Sequence, residues 1–294
     1  MYRLQLILLV LVGIGCQNKG IPEASTADLT SENVPTWAKE AIWYEIGVER
    51  FRNGDPTNDP SAQDIIGAYP SFVPDEWAVT PWTQDWYEED DYFANFNDQL
   101  DYYGNKIERF VDKAQLRRYG GDLQGVLDKV DYLESLGITA IYFRPLNDAP
   151  SLHKYDARNW RHIDVNFGPD PSGDKALIAS EVPDDPSTWK FTAVDKLFLK
   201  VLEVFHDRGI KVIIDYSWNH TGQMFWAWQD VLEKQEKSKY KDWYWIAQFD
   251  DPTTSENEFK YHGWEGVPDL PEIKETQAQD LSVSLTAFEG NIYS

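Results

Sequence analysis

Two stretches of helical periodicity, each closing on a glycine just ahead of a short β-branched and aromatic run, constrain the fold more than any other feature. From Leu123 to Leu136, Val126, Val130 and Leu133 fall on one face, and Gly137 precedes the run Thr139 to Arg144. From Val194 to Asp207 the pattern repeats with Leu197, Val201, Leu202 and Phe205, and Gly209 precedes the run Lys211 to Ser217. A third run, Ala41 to Glu49, stands ahead of both. Runs this short and continuous suit strands buried on both faces. Strand, helix, strand units in series imply a parallel sheet with covering helices, an α/β fold. Periodicity alone leaves a doubly wound sheet and a barrel both open; in either, functional loops follow the C-terminal strand ends.

Two of those loops are long. One separates the first strand from Tyr119 and carries the acidic, aromatic stretch Trp77, Trp82, Trp86, Tyr87 and Glu88 to Asp91; the other runs from Arg144 to Trp189. Loops of such length are functional or disordered, and their aromatic content argues against wholesale disorder. Thirteen Trp and sixteen Tyr serve either core packing or flat platforms for sugar rings. The formal net charge of -23 argues against nucleic acid or anionic lipid, which need a positive field, and suits a neutral ligand.

At the N-terminus, Arg3 precedes the apolar run Leu4 to Val12, broken by Gln5 and followed by small residues around Gly13, Gly15 and Cys16. That is a signal-peptide pattern, too short for the ~20 residues of a mature span. Ile14-Gly15-Cys16 resembles a bacterial lipobox, with Gly13 where leucine is usual, so Cys16 is the expected lipidation site. Ordinary secretion and a buried N-terminal strand are the other readings. The single cysteine allows no intrachain disulfide and no Cys-based metal site. Residues 17–36 read as a flexible tether. The expectation is a protein secreted across the bacterial inner membrane and lipid-anchored in the envelope, periplasmic or at the cell surface.

Four constellations carry candidate chemistry. Asn53, Asp55, Asn58 and Asp59, directly after the first strand, alternate oxygen donors with turn formers. They suit calcium, which takes about 6 to 8 oxygens, or a polar turn with Asx hydrogen bonds. Tyr119-Gly120-Gly121-Asp122-Leu123-Gln124-Gly125 opens the first helix, with Asp122 placed to cap it. It lacks the Lys-Ser/Thr of a phosphate loop and follows no strand, which excludes a nucleotide site. His153 and Tyr155 in the loop after the second strand offer a hydrogen bond and a ring face to one sugar, as a bland loop also would. Asp215 to His220 stands at the C-terminal edge of the third strand, where barrel enzymes keep their chemistry; a structural role for Asp215 is equally open.

The order of these four resembles glycoside hydrolase family 13, the alpha-amylase family, across residues 41–273. Ile42-Trp43-Tyr44-Glu45-Ile46 with Glu49 to Asp55 looks like its first barrel strand and loop, and Tyr119 to Gly125 like the start of its first barrel helix. Gly137 to Tyr142 resembles its second strand, and Asp215 through His220 its Asp-x-x-x-Asn-His signature on strand three. His153-Lys154-Tyr155-Asp156, His162-Ile163-Asp164 and Phe167-Gly168-Pro169-Asp170-Pro171 are similar to the neopullulanase and cyclomaltodextrinase branch. Gly263 to Pro271 looks like the end of the family's small domain B. Trp160 stands where Tyr is common, and Trp218 where a smaller apolar residue or Phe is usual.

The resemblance implies the N-terminal part of a (β/α)8 TIM barrel, strands one to three plus domain B. It divides the chain into residues 1–16 (signal), 17–36 (tether), 37–220 (three β/α units with long loops), 221–275 (domain B-like insertion) and 276–294 (approach to strand four). Tyr155 would stack beneath the sugar at the cleavage site, with His153 nearby, His220 hydrogen-bonding that sugar and Asp215 fixing the network. Calcium would take Asn53, Asp55, Asn58 and Asp59 with the Gly120 carbonyl and Asp122. The implied activity is retaining hydrolysis of α-glucans by an Asp nucleophile, a Glu acid/base and a second Asp. The nucleophile's Arg-x-Asp pattern is absent, since no arginine follows Arg208, and the only Asn-His is Asn219-His220. The expectation is that all three carboxylates lie beyond Ser294, that Glu265 and Asp269 are solvated loop charges, and that this chain alone is inactive. The alternative is a non-catalytic glucan-binding surface lipoprotein.

Overall fold

The protein is described by a computed structural model over residues 34–82, 85–96 and 98–274. Cys16, the signal segment and residues 276–294 lie outside the described residues, as does most of the tether. The chain divides into two units, Met1–Glu40 and Ala41–Ser294. The described part of the first carries a short helix, α1 (Thr36–Glu40).

In the second unit the elements run β1 (Trp43–Ile46), α2 (Phe110–Lys113), α3 (Leu123–Asp128), α4 (Val130–Ser135), β2 (Ala140–Phe143), α5 (Pro171–Ala179), α6 (Ala193–Asp207), β3 (Lys211–Ile214), α7 (Trp226–Lys234), β4 (Ile246–Gln248) and β5 (Lys260–Tyr261). β1, β2 and β3 are adjacent, parallel and in chain order, with Tyr44 opposite Ile141 and Ile141 opposite Val212. Helical crossovers make parallel pairing the expectation, but burial on both faces holds for β2 alone: β1 and β3 alternate exposed with part-buried or buried residues. β4 and β5 form a separate antiparallel hairpin.

The strands are shorter than their apolar runs. β1 stops because Val48–Arg50 tightens into a 3-10 turn, and β3 yields to polar residues after Ile214, although the Asp215 N–H still bonds the Phe143 carbonyl at 2.9 Å. The expected helix from Leu123 to Leu136 is two helices, broken at Lys129 (φ -109°, ψ 4°), where the N–H turns back to the Val126 carbonyl at 3.1 Å. The break leaves the face intact: Val126, Val130 and Leu133 are buried with Phe143, Val201 and Phe205 between sheet and helices. Two smaller cores stand apart. Phe225, Trp228 and Tyr244 gather under α7 and the hairpin, and Ile65, Trp77, Phe93, Phe96 and Leu116 make the long loop after β1 a packed body.

Candidate functional site

The loops at the C-terminal ends of β2 and β3 meet at Tyr155. Its hydroxyl donates to Asp215 Oδ2 at 2.6 Å. Burial first, then this bond, pushes the phenol up to about 12. Tyr142, on β2, also faces Asp215, whose carboxylate pushes its phenol to about 12. Both phenols therefore stay protonated at neutral pH, and Asp215 works as the acceptor that fixes the Tyr155 ring.

His153 lies on the other side of Tyr155, rings stacked with centroids 5.7 Å apart and planes at 29°. The Tyr155 N–H donates to His153 Nδ1 at 3.1 Å, so the proton of the neutral ring sits on Nε2; burial lowers its pKa and favours that neutral form. Between them Lys154 takes a left-handed φ of 63°, a cost for a non-glycine residue. It is held there by Nζ bonds to the Ala149 carbonyl (2.9 Å) and Asp164 (2.6 Å). His220 Nε2 reaches the Tyr155 carbonyl at 3.2 Å, and its ring stacks on Trp264 at 5.1 Å. Burial pulls its pKa down to about 4. His220 is thus a neutral imidazole whose Nδ1, buried without a partner among the described residues, is an unused acceptor. The four residues expected at the substrate site are brought together, with Tyr155 at their centre, but His220, expected to hydrogen-bond the sugar, is only 2% exposed.

The Gly-rich segment before α3 is explained by close backbone approach. Gly120 has φ 67°, and a Cβ there would lie 2.1 Å from Asp59 Oδ1; at Gly125 it would lie 2.0 Å from the Arg52 carbonyl. Asp122 caps α3 through the Gly125 N–H at 2.5 Å. Its other oxygen accepts from Gly54 N (3.1 Å), Asp55 N (2.8 Å) and Asn58 Nδ2 (3.3 Å). The two segments expected to share a cation do meet. Among the described residues no group of three or more His, Cys, Asp and Glu has the placement of a metal site, because Asp55 turns to Thr57 N (3.0 Å) and Oγ1 (2.6 Å) and Asp122 is filled by N–H donors. The amide oxygens of Asn53 and Asn58, however, are buried with no donor. Burial raises the Asp59 pKa, and repulsion from Asp122 and Asp55 adds to it. Orphaned oxygens beside a carboxylate that lacks a counter-charge fit a hard cation.

Sequence reasoning missed three buried ionisable groups. His162 donates from both ring nitrogens, to Asp195 Oδ2 (2.8 Å) and Glu181 Oε2 (2.9 Å); burial lowers its pKa, but the two carboxylates outweigh burial and the net shift is upward. Glu49 Oε1 accepts from Tyr119 N (2.6 Å) and Gly120 N (3.1 Å), while burial pushes its carboxyl to about 7. Asp269 is a correction: it is no solvated loop charge but half-buried, with Oδ1 unpaired among the described residues. Burial, then Asp156 and Asp101, push it to about 7. Glu265 is exposed, as expected.

The Alpha-amylase family (Alpha amylase, catalytic domain) matches residues 46–180 and 190–272. Neopullulanase 2 of Thermoactinomyces vulgaris is 34% identical over 240 residues, which cover 82% of this chain and 30% of that protein. A cyclomaltodextrinase of Geobacillus thermopakistaniensis (strain MAS1) is 33% identical over 240 residues, covering 81% and 29%. In structure, the ligand-free cyclic alpha-maltosyl-(1→6)-maltose hydrolase from Arthrobacter globiformis superposes with a TM-score of 0.52 at 25% identity, covering 86% of this chain and 42% of that one. The chain therefore spans about 30% of the length of these two curated relatives, and its three parallel strands are part of a (β/α)8 barrel. It belongs to the alpha-amylase family, glycoside hydrolase family 13.

Proposed function

We propose that the full-length protein hydrolyses α-glucosidic bonds in α-glucans with retention of configuration, and that this chain supplies the sugar-positioning side of its active site. The observation that carries the reading is the Tyr155, Asp215 and His220 group. A ring face, the carboxylate that holds its hydroxyl and an imidazole bonded to its backbone carbonyl come from different segments to the C-terminal end of a parallel sheet. Family membership and relatives that are a neopullulanase and a cyclomaltodextrinase support the substrate class. The nucleophile, acid/base and third carboxylate are assigned to barrel strands beyond the three described.

Calcium, on the same reading, would be held by Asn53, Asn58, Asp59 and the Gly120 carbonyl, with Asp55 and Asp122 completing the set. It would cross-link the loop after β1 to the start of α3, a structural task. Signal cleavage with lipidation of Cys16 would anchor the protein in the envelope. Metabolic labelling with a fatty acid should mark the wild type and not Cys16→Ser, and an unlabelled wild type in the cytosol would end that reading.

The activity test is reducing-sugar release from maltooligosaccharides, pullulan and cyclodextrins by the full-length protein. Release that collapses in Tyr155→Ala supports the assignment; no release from any of the three classes rejects it.

A further inference from the structure

We propose that the exposed face of the loop after β1, carrying Trp82, Trp86 and Tyr87, is an additional carbohydrate-binding surface whose ligand is a neutral α-glucan chain. The choice of an α-glucan rests on the function proposed above; the existence of a binding surface rests on the loop itself.

The loop has a closed core of its own, and these three rings do not enter it. Trp82, Trp86 and Tyr87 are 47%, 48% and 79% exposed, within six consecutive positions. They are nevertheless held. Arg117, whose side chain is only 1% exposed, binds Asp90 through Nε at 2.5 Å. Its other nitrogens donate to the Trp86 carbonyl at 2.6 Å and to the Glu88 carbonyl. Burying a guanidinium carries a desolvation cost, and here it fixes a stretch with no regular secondary structure. Each ring is also braced by a neighbour: Trp82 by Tyr119 (5.3 Å), Trp86 by the Arg117 guanidinium (5.4 Å) and Tyr87 by Phe110 (6.0 Å).

Rigid, half-exposed aromatic rings lower the ordering cost of binding and offer flat apolar faces to a flat apolar ligand. The surrounding charge selects among such ligands. Asp85, Glu88, Glu89 and Asp91 are exposed in the same stretch, so anionic polymers are repelled while sugar hydroxyls find acceptors. A pyranose chain has both apolar faces and hydroxyl donors, and carries no charge.

The test is affinity electrophoresis of the full-length protein in native gels containing soluble amylopectin, with maltotriose cleavage measured in parallel. The expected result is retardation of the wild type and of Tyr155→Phe. In Trp82→Ala/Trp86→Ala the apparent affinity should be about 30-fold weaker, as the loss of two ring contacts of about 1 kcal/mol each implies, with maltotriose cleavage unchanged. If that variant melts early, Tyr87→Ser decides, because its ring lies outside the core and its loss should still weaken retardation several-fold. Equal retardation of wild type and surface variants overturns the proposal. So does a wild type that cleaves maltotriose but runs free of amylopectin, which leaves the enzyme reading standing; retardation abolished only in the surface variants, without any cleavage, does the reverse. Retardation by polylysine that weakens in Tyr87→Ser, with none by amylopectin, would assign the face to a basic protein partner and overturn the glucan.

Discussion

Replacing His162 by glutamine tests how the loop that carries His153 and Tyr155 is held. The imidazole donates to Glu181 and Asp195 at once, whereas a glutamine amide is uncharged and cannot span both. Removing one partner from a buried charge network costs about 3–5 kcal/mol. Two features place this case near the lower limit: Arg161 still reaches Glu181 through Nε (3.2 Å) and Nη2 (3.1 Å), and Asp195 still accepts from Thr192 N and Ile163 N. A loss of ~3 kcal/mol corresponds to a drop in Tm of roughly 6–12 °C for a domain of this class. The pH dependence follows from the signs. The folded pKa of His162 is raised above the ordinary value of about 6.5, so its contribution is complete below that value and is lost as pH rises through the folded pKa. Glu181 and Asp195 are lowered, their bonds to His162 outweighing burial; their contribution is present above about pH 4 and is lost as pH falls through their folded values. The gap in Tm between wild type and His162→Gln should be widest near pH 5 to 6 and should narrow on the alkaline side. Thermal melts followed by circular dichroism from pH 5 to 9 measure it. The Asp148 N–H bonds the His162 carbonyl at 3.1 Å, and the same loop carries His153 and Tyr155, so KM for short glucans should rise in the variant. A gap that stays constant across the range, or is below ~0.5 kcal/mol, refutes the two-carboxylate clamp.

Three further outcomes are expected. Tyr155→Phe keeps the ring and removes the donor to Asp215; a hydrogen bond to a charged group contributes ~1.5–3 kcal/mol, so kcat/KM of the full-length protein should fall by about 10- to 100-fold, and an unchanged value would remove Asp215 from the network. Gly120→Ala places a Cβ against Asp59 at positive φ and should destabilise by at least ~1 kcal/mol, visible as a lower Tm; an unaltered melt would show that the approach relaxes freely. Millimolar calcium should raise the Tm, by about 2.7 kcal/mol of stabilisation at 100 times Kd, and Asp59→Asn should abolish the increment; a wild type whose Tm is insensitive to chelation excludes a stabilising calcium.

Parallel order, helix faces and the Asp122 cap were legible because each rests on short-range regularity: a 3.6-residue period, a glycine stop, a side chain three residues from the N–H it accepts. The grouping of His153, Tyr155, Asp215 and His220 was legible only through motif order, since nothing local in His153 or Tyr155 distinguishes them from an ordinary loop. What stayed hidden depends on distant partners. His162 sits 19 residues from Glu181 and 33 from Asp195, and Glu49 lies 70 residues from the amide it caps. Asp269 reads as a loop charge because its burial comes from packing that no local pattern encodes. The α3 and α4 break at Lys129 left no trace either, because the apolar face runs through it undisturbed. α5 was hidden for a different reason: it opens Pro-Ser-Gly, and its burial is confined to Asp174, so it shows no apolar stripe to read.

Trp160 and Trp218, the two departures from the family pattern, prove to be one feature. Their rings meet edge to face at 5.2 Å and 71°, and Trp218 lies flat on Tyr216 at 5.0 Å and 9°. Trp160 also packs on Phe225 at 5.1 Å, at the start of α7. The pair is therefore held together by packing, and it links the end of β3 to the aromatic core beneath α7. Because Trp218 is 44% exposed and stands two residues before His220, this link also sets an aromatic wall in the segment that carries that histidine. The shared motif residues, Tyr155, Asp215 and His220, do not report this local packing change.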